Sequence, residues 1–177
     1  MLKRIALLSF TGLLGCGHVS KKNVPLPDME LNGATELIDQ SARGNESQVD
    51  VLLKKGERPN QTTSQGVSSL MVASRKGHVG VLKLLLDAKA DPNLADEQGS
   101  TALHYAALGS QAKAIRLLLE YKVNVDTKDG FDLTALMIAT RFADLTTVKI
   151  LLRGGASAGT TDGNGWSPLF FTIPRGD

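Results

Sequence analysis

The chain repeats itself every 33 residues, from residue 35 to its end, without an insertion or a deletion. A period of that size restricts the fold to a linear stack of supersecondary units. The five starts are Thr35, Ser68, Thr101, Thr134 and Ser167. Two residues after each start stands a leucine: Leu37, Leu70, Leu103, Leu136 and Leu169. Each of the four full copies then carries a small residue (Gly44, Gly77, Ser110 or Ala143), and later a leucine pair such as Leu52–Leu53 or Leu118–Leu119. The copies close with Gly66, Gly99, Asp132 and Gly165.

Each residue type has a physical reason to recur. Threonine or serine at the start suits a helix N-cap, where its hydroxyl accepts from a free backbone N–H. The leucine two places on, with Ala73, Ala106 and Ala139, lies on one face of a first helix, where small residues permit close packing. Val49, Leu52 and Leu53, with their equivalents, supply the i, i+3, i+4 stripe of a second helix. Glycines near the end of that helix and in the next turn allow positive φ. The block Asp96-Glu97-Gln98-Gly99 is turn chemistry. Each unit is thus helix, turn, helix and an extended hairpin-like loop, and it must stack on neighbours to bury its apolar face.

The copy Thr101-Ala102-Leu103-His104-Tyr105-Ala106 is the closest to the ankyrin signature, and the chain resembles the ankyrin repeat over about residues 31 to 173. The resemblance implies an all-α solenoid of helix-turn-helix units with hairpin-like loops, occupying residues 29–177. Gln40 and Ser41 give the first copy the polar character of a cap. The last copy, from Ser167, is partial, and Pro174 limits any helix in it. Two readings of Phe170, Phe171 and Ile173 stand: they cover the apolar edge of the fourth copy, or the array is cut short. His104 belongs to the signature and is expected to be structural.

The first residues read differently. Lys3 and Arg4 precede an apolar run from Ile5 to Leu14, ten residues long, against the about 20 a spanning helix needs. That is the layout of a secretory signal. Leu13-Leu14-Gly15-Cys16 resembles the bacterial lipobox, in which the cysteine thiol takes a diacylglyceryl group. Cys16, the one cysteine of the chain, is accordingly the expected lipid attachment site, and residues 1–15 the signal peptide. Residues 16–28, polar and carrying Pro25 and Pro27, form a tether. Twelve extended residues reach at most roughly 40 Å, which keeps the domain near a bilayer. The absence of aspartate after Cys16 implies, by the sorting rule of that family, an outer membrane facing the periplasm where the cell has two.

Charge excludes one class of partner. The net charge of +2 comes from Lys3 and Arg4, and the remaining 18 basic and 18 acidic residues balance. Nothing there calls for nucleic acid. No nucleophile motif, phosphate loop or metal-ligand spacing goes beyond the repeat, so the expectation is a protein that is not an enzyme, with no cofactor, no metal and no small-molecule substrate. Asp126 and Asp129 fall in a loop position shared by every copy and are read as turn residues.

The partner expected is another protein. The resemblance implies binding through the concave side, made of loop tips and the exposed ends of the first helices. In the N-terminal half these positions are polar, with Arg43, Arg75, Lys76, Gln65 and Gln98. In the C-terminal half they become Leu108, Phe131, Leu133, Arg141, Phe142 and Trp166. Three of the eight aromatic residues of the chain fall in this set, and aromatics and arginine are the side chains most enriched at binding hot spots. The candidate contact residues are therefore Arg75, Leu108, Phe131, Leu133, Arg141, Phe142 and Trp166. The bland alternative is that the aromatics pack the loops and the incomplete end. The expected role is a membrane-tethered interaction module of the bacterial envelope. An immunity-type inhibitor of a toxin and a structural envelope scaffold are the alternatives.

Overall fold

The computed structural model describes residues 34–142 and 144–172. The signal, Cys16 and the tether lie outside those residues. In chain order the described residues form α1 (Glu36–Arg43), α2 (Glu46–Lys54), α3 (Ser69–Lys76), α4 (Val79–Asp87), α5 (Ala102–Leu108), α6 (Ala112–Glu120), α7 (Ala135–Arg141) and α8 (Leu145–Arg153). A 3-10 turn over Pro168–Thr172 follows. The fold is an all-α repeat solenoid.

Helices of seven to nine residues are too short to be stable alone in water. Their stability has to come from neighbours, and the packing supplies two layers. The inner helices α1, α3, α5 and α7 pack in sequence, and the terminal turn continues that layer against α7. The outer helices α2, α4, α6 and α8 form the second layer, each also packed on its own inner helix. Leu37, Leu70, Leu103 and Leu136 are buried in this stack, and each burial contributes about 2 kcal/mol. Ala73, Ala106 and Ala139 are fully buried as well, where a larger side chain would hold the inner helices apart.

The backbone shows the period most directly. Every positive-φ residue among those described occupies one of three repeat positions. The first ends the inner helix (Gly44, Gly77, Ser110), and the second ends the outer helix (Gly56, Lys89, Lys122, Gly155). The third is the loop tip (Gly66, Gly99, Asp132, Gly165). At the first position the N–H groups of Gly77 and His78 return to the carbonyls of Ser74 and Ala73 at 3.2 and 3.0 Å. These bonds satisfy carbonyls that the helix end leaves open. Lys89 and Lys122 take the same conformation as Gly56 and Gly155, which their residue type does not announce.

The expected threonine and serine caps are met in part. Ser68 Oγ accepts from the Met71 N–H and Thr134 Oγ1 from the Met137 N–H. Thr35 makes no side-chain cap bond. At Thr101 the backbone N–H donates instead to His104 Nδ1 at 3.1 Å. Of the outer helices, α8 is capped by Asp144, whose Oδ1 accepts from the N–H groups of Thr146 and Thr147.

The candidate interaction surface

The loop tips are built by one device used four times. In the last three copies the Oδ1 of Asp96, Asp129 or Asp162 accepts from two N–H groups, two and four residues ahead, at 2.8–2.9 Å. In the first, Thr63 Oγ1 accepts from Gln65 and Val67. The chain then turns back on itself, with Asp129 N–H donating to the Leu133 carbonyl and Asp162 N–H to that of Trp166. Neighbouring tips are joined through the backbone, Glu97 N–H to Gln65 O at 3.1 Å and Gly130 N–H to Gln98 O at 2.7 Å. Farther down the loops, Asn60, Asn93 and Asp126 each accept from a backbone N–H of the next copy, 31 residues on. The carboxylates of Asp126 and Asp129 are thus engaged in holding loops.

His104 ties this surface to the helices. It is 3% exposed. Since Nδ1 accepts from Thr101, the proton is on Nε2, which donates to the Leu133 carbonyl at 3.1 Å. Burial holds its pKa below the ordinary 6.5, against the opposing effects of Asp129, the Leu133 and Thr127 carbonyls and Asp96. A neutral imidazole therefore ties the start of α5 to the base of the loop that closes the third copy. His78, at another repeat position, makes a bond of the same kind between the second copy and the first, its Nε2 lying 3.2 Å from the Ala42 carbonyl.

On this frame the candidate residues fall into rows. Arg75, Leu108 and Arg141 occupy one repeat position on α3, α5 and α7, which pack side by side. Leu133 and Trp166 share a position at the base of successive tips, and Phe131 projects at a tip, 58% exposed. Arg141 is exposed; Leu108, Leu133 and Phe142 are half-buried.

Two residues depart from the reading of them as exposed contacts. Arg75 is only 6% exposed. The backbone of α5 arrives directly over its carbonyl at Gly109, and the side chain lies within electrostatic reach of the Tyr105 phenol. Arg75 is therefore a packing residue between the second and third copies in the structure described. Trp166 stacks on Phe170 with ring centroids 4.3 Å apart at 23°, and Phe171 meets both rings edge-on. The tryptophan ring is held by the terminal turn.

The sequence reading gave no exposed role to three leucines. Leu152 and Leu169 stand in leucine columns of the repeat and Leu145 at a position held by Glu46, Val79 and Ala112 in the other copies, and the structure leaves all three exposed. Periodicity identifies the face of a helix; it does not say whether a neighbour covers that face.

Among the described residues no group of three or more His, Cys, Asp or Glu side chains is placed to hold a metal ion, and no helix is long and apolar enough to cross a membrane. A family model for ankyrin repeats in three copies matches residues 37–129, and a second, for ankyrin repeats in many copies, matches residues 113–152. No curated protein matches the sequence.

Proposed function

The chain belongs to the ankyrin-repeat family, a family of protein–protein interaction modules, and from that premise we propose a module tethered by lipid to a bacterial envelope membrane. In this reading it binds one partner protein through its loop tips and inner-helix ends. The observation that carries the binding surface is Phe131. A phenylalanine 58% exposed sits on a tip that Asp129 holds with two hydrogen bonds, so it is presented without much ordering left to do on binding. Half-buried Leu108, Leu133 and Phe142, with exposed Arg141, extend the apolar character of that side.

Two experiments test the two halves of the proposal. For the surface, the protein is immobilised and binders are captured from an envelope extract. The Phe131→Ala/Phe142→Ala double substitution is expected to weaken capture of a dominant partner about thirtyfold, as loss of a hot spot does. Capture unchanged by the substitution counts against this surface. A tight one-to-one complex favours an inhibitor or enzyme partner, and several weak partners favour a scaffold.

For the tether, the lipobox-like run before Cys16 is the support. In bacterial cells the Cys16→Ser variant is expected to lose incorporation of labelled fatty acid and to leave the membrane fraction. Fractionation identical to the parent's would remove the lipid anchor from the proposal, and with it the outer-membrane placement.

A further inference from the structure

The even balance of charge beyond Lys3 and Arg4 hides a separation. The loop segments 91–100, 124–133 and 157–166 carry seven acids and one base, Lys128. The outer helices of the same three copies, α4, α6 and α8, carry five bases against two acids. The bases are Lys83, Lys113, Arg116, Lys149 and Arg153, and the acids are Asp87 and Glu120. Lys89 and Lys122, two residues past α4 and α6, add to the basic side. All seven bases are exposed.

Three of them are aligned. Lys83, Arg116 and Lys149 stand 33 residues apart on helices that pack in sequence, so they form one row across the outer layer. Lys83 and Arg116 are exposed although a further outer helix follows each of theirs. The row therefore faces away from the stack itself. Between α6 and α8 lies an open groove of about 390 Å³, lined by Arg116 and Arg153 over Leu119, Ile150 and Gly154, with Glu120 the one acid in the lining.

Pairing separates this row from the first copy. There Asp50 holds the row's position and takes Lys54 at 2.6 Å, and Asp39 takes Arg43 at 2.9 Å. Among the described residues no carboxylate lies within ion-pair distance of Lys83, Lys113, Arg116, Lys149 or Arg153. Asp87 is engaged by the Tyr121 hydroxyl at 2.8 Å.

We propose that the outer face of the second to fourth copies rests on a bilayer surface of anionic phospholipid, with the row of cations set against the headgroup phosphates. The cations of the row sit on neighbouring helices about 10 Å apart, and a fluid headgroup layer sets a phosphate opposite each at any spacing. The acidic loop segments are repelled by the same surface, so the contact turns the loop tips toward water. A handful of cations holds such a surface loosely, and salt releases them. The contact thus orients a tethered domain and does not substitute for the tether. The choice of a bilayer over another polyanion rests on the tether reading, but the contact is tested without acylation, so either can fail alone.

The probe is a vesicle of phosphatidylcholine with about one-third phosphatidylglycerol. Partition of the 177-residue chain carrying Cys16→Ser is divided by its partition onto pure phosphatidylcholine, which cancels the apolar run before Cys16. Adding Lys83→Gln/Arg116→Gln/Lys149→Gln should lower that ratio about a hundredfold, roughly fivefold for each cation. Adding Arg43→Gln/Lys54→Gln/Arg58→Gln instead removes the same charge from the first copy and should lower it less than about threefold. All six bases are exposed, so both chains keep the fold, checked by circular dichroism. Phe131→Ala/Phe142→Ala should leave the ratio unchanged. A ratio near one before the triple substitutions, or equal losses from both of them, overturns the proposal. So does row-dependent binding of a duplex oligonucleotide tighter than that of the vesicles, which assigns the face to nucleic acid. Release from vesicles by inorganic phosphate beyond that by chloride of equal ionic strength overturns it in favour of a free anion at Arg116 and Arg153.

Discussion

Replacing Gly109 with alanine is expected to cost about 3 kcal/mol of stability, the upper range for forcing atoms into a packed interior. Gly109 ends α5 at a φ of −83°, so the cost is not one of backbone conformation. The added Cβ would lie 2.2 Å from the Arg75 carbonyl oxygen and 3.1 Å from its carbon. Those are backbone atoms and cannot swing away. Relief requires α5 to separate from α3, and that separation opens the contact that buries Ala73, Ala106 and Ala107. Two other glycines calibrate the measurement. Gly155 has open space but a φ of +93°, so Gly155→Ala should cost about 1 kcal/mol. Gly159 has only the Ser157 Oγ at 3.9 Å and no positive φ, so Gly159→Ala should be close to neutral. Urea denaturation followed by circular dichroism measures all three. Because stability in a stack is a sum over neighbours, Gly109→Ala should also broaden or split the transition, as the second and third copies lose their coupling. A Gly109→Ala chain as stable as Gly159→Ala would mean that α5 does not approach α3 as described.

Most of the fold is legible in the residues because local chemistry states it four times. The leucine columns, the loop-tip glycines and the aspartates two and four places before backbone donors each follow from a local requirement. Repetition separates them from accident. The parts that escaped are those decided by neighbours or by residues that do not advertise their conformation. Lys89 and Lys122 adopt positive φ where two other copies use glycine; the outer-helix end imposes the conformation and the lysine side chain tolerates it. Arg75 reads as a surface residue because a base near a helix C-terminus usually complements the dipole, and only the approach of Gly109 reveals its burial. Trp166 sits where a partner contact was expected, yet its ring is taken up by Phe170, a pairing between residues whose spacing carries no motif. Leu145, Leu152 and Leu169 show the converse. Leu152 and Leu169 stand in leucine columns of the repeat and Leu145 at a variable position of the outer helix, and their exposure is decided by neighbours, not by residue type. Phe131 was legible because an aromatic at a loop tip has no helix to bury it.

The second large effect concerns His104 and the acid side of neutrality. His104→Ala should cost about 3 kcal/mol, since it opens a buried site and removes the acceptor of the Thr101 N–H. It also cuts the bond to the Leu133 carbonyl, although that oxygen keeps the Asp129 N–H. The intact protein should show the same dependence through pH. Burial, the largest influence, lowers the folded-state pKa of His104 beneath the ordinary 6.5, against the opposing charges of Asp129 and Asp96. A histidine lowered on folding binds fewer protons in the native state than in the unfolded one wherever pH lies between the two values. Its contribution is therefore whole above the unfolded pKa and is lost as pH falls through that value toward the folded one. Protonating Nδ1 would set a donor against the Thr101 N–H, which is the structural form of the same penalty. Melting temperature measured from about pH 7 down to about pH 5 should thus fall in the parent chain. In the His104→Ala chain the profile should start lower and stay much flatter over that interval, before the carboxylates begin to titrate. Parallel profiles in the two proteins would show that the titrating group lies elsewhere and that the imidazole bridge from α5 to its closing loop does not govern acid stability.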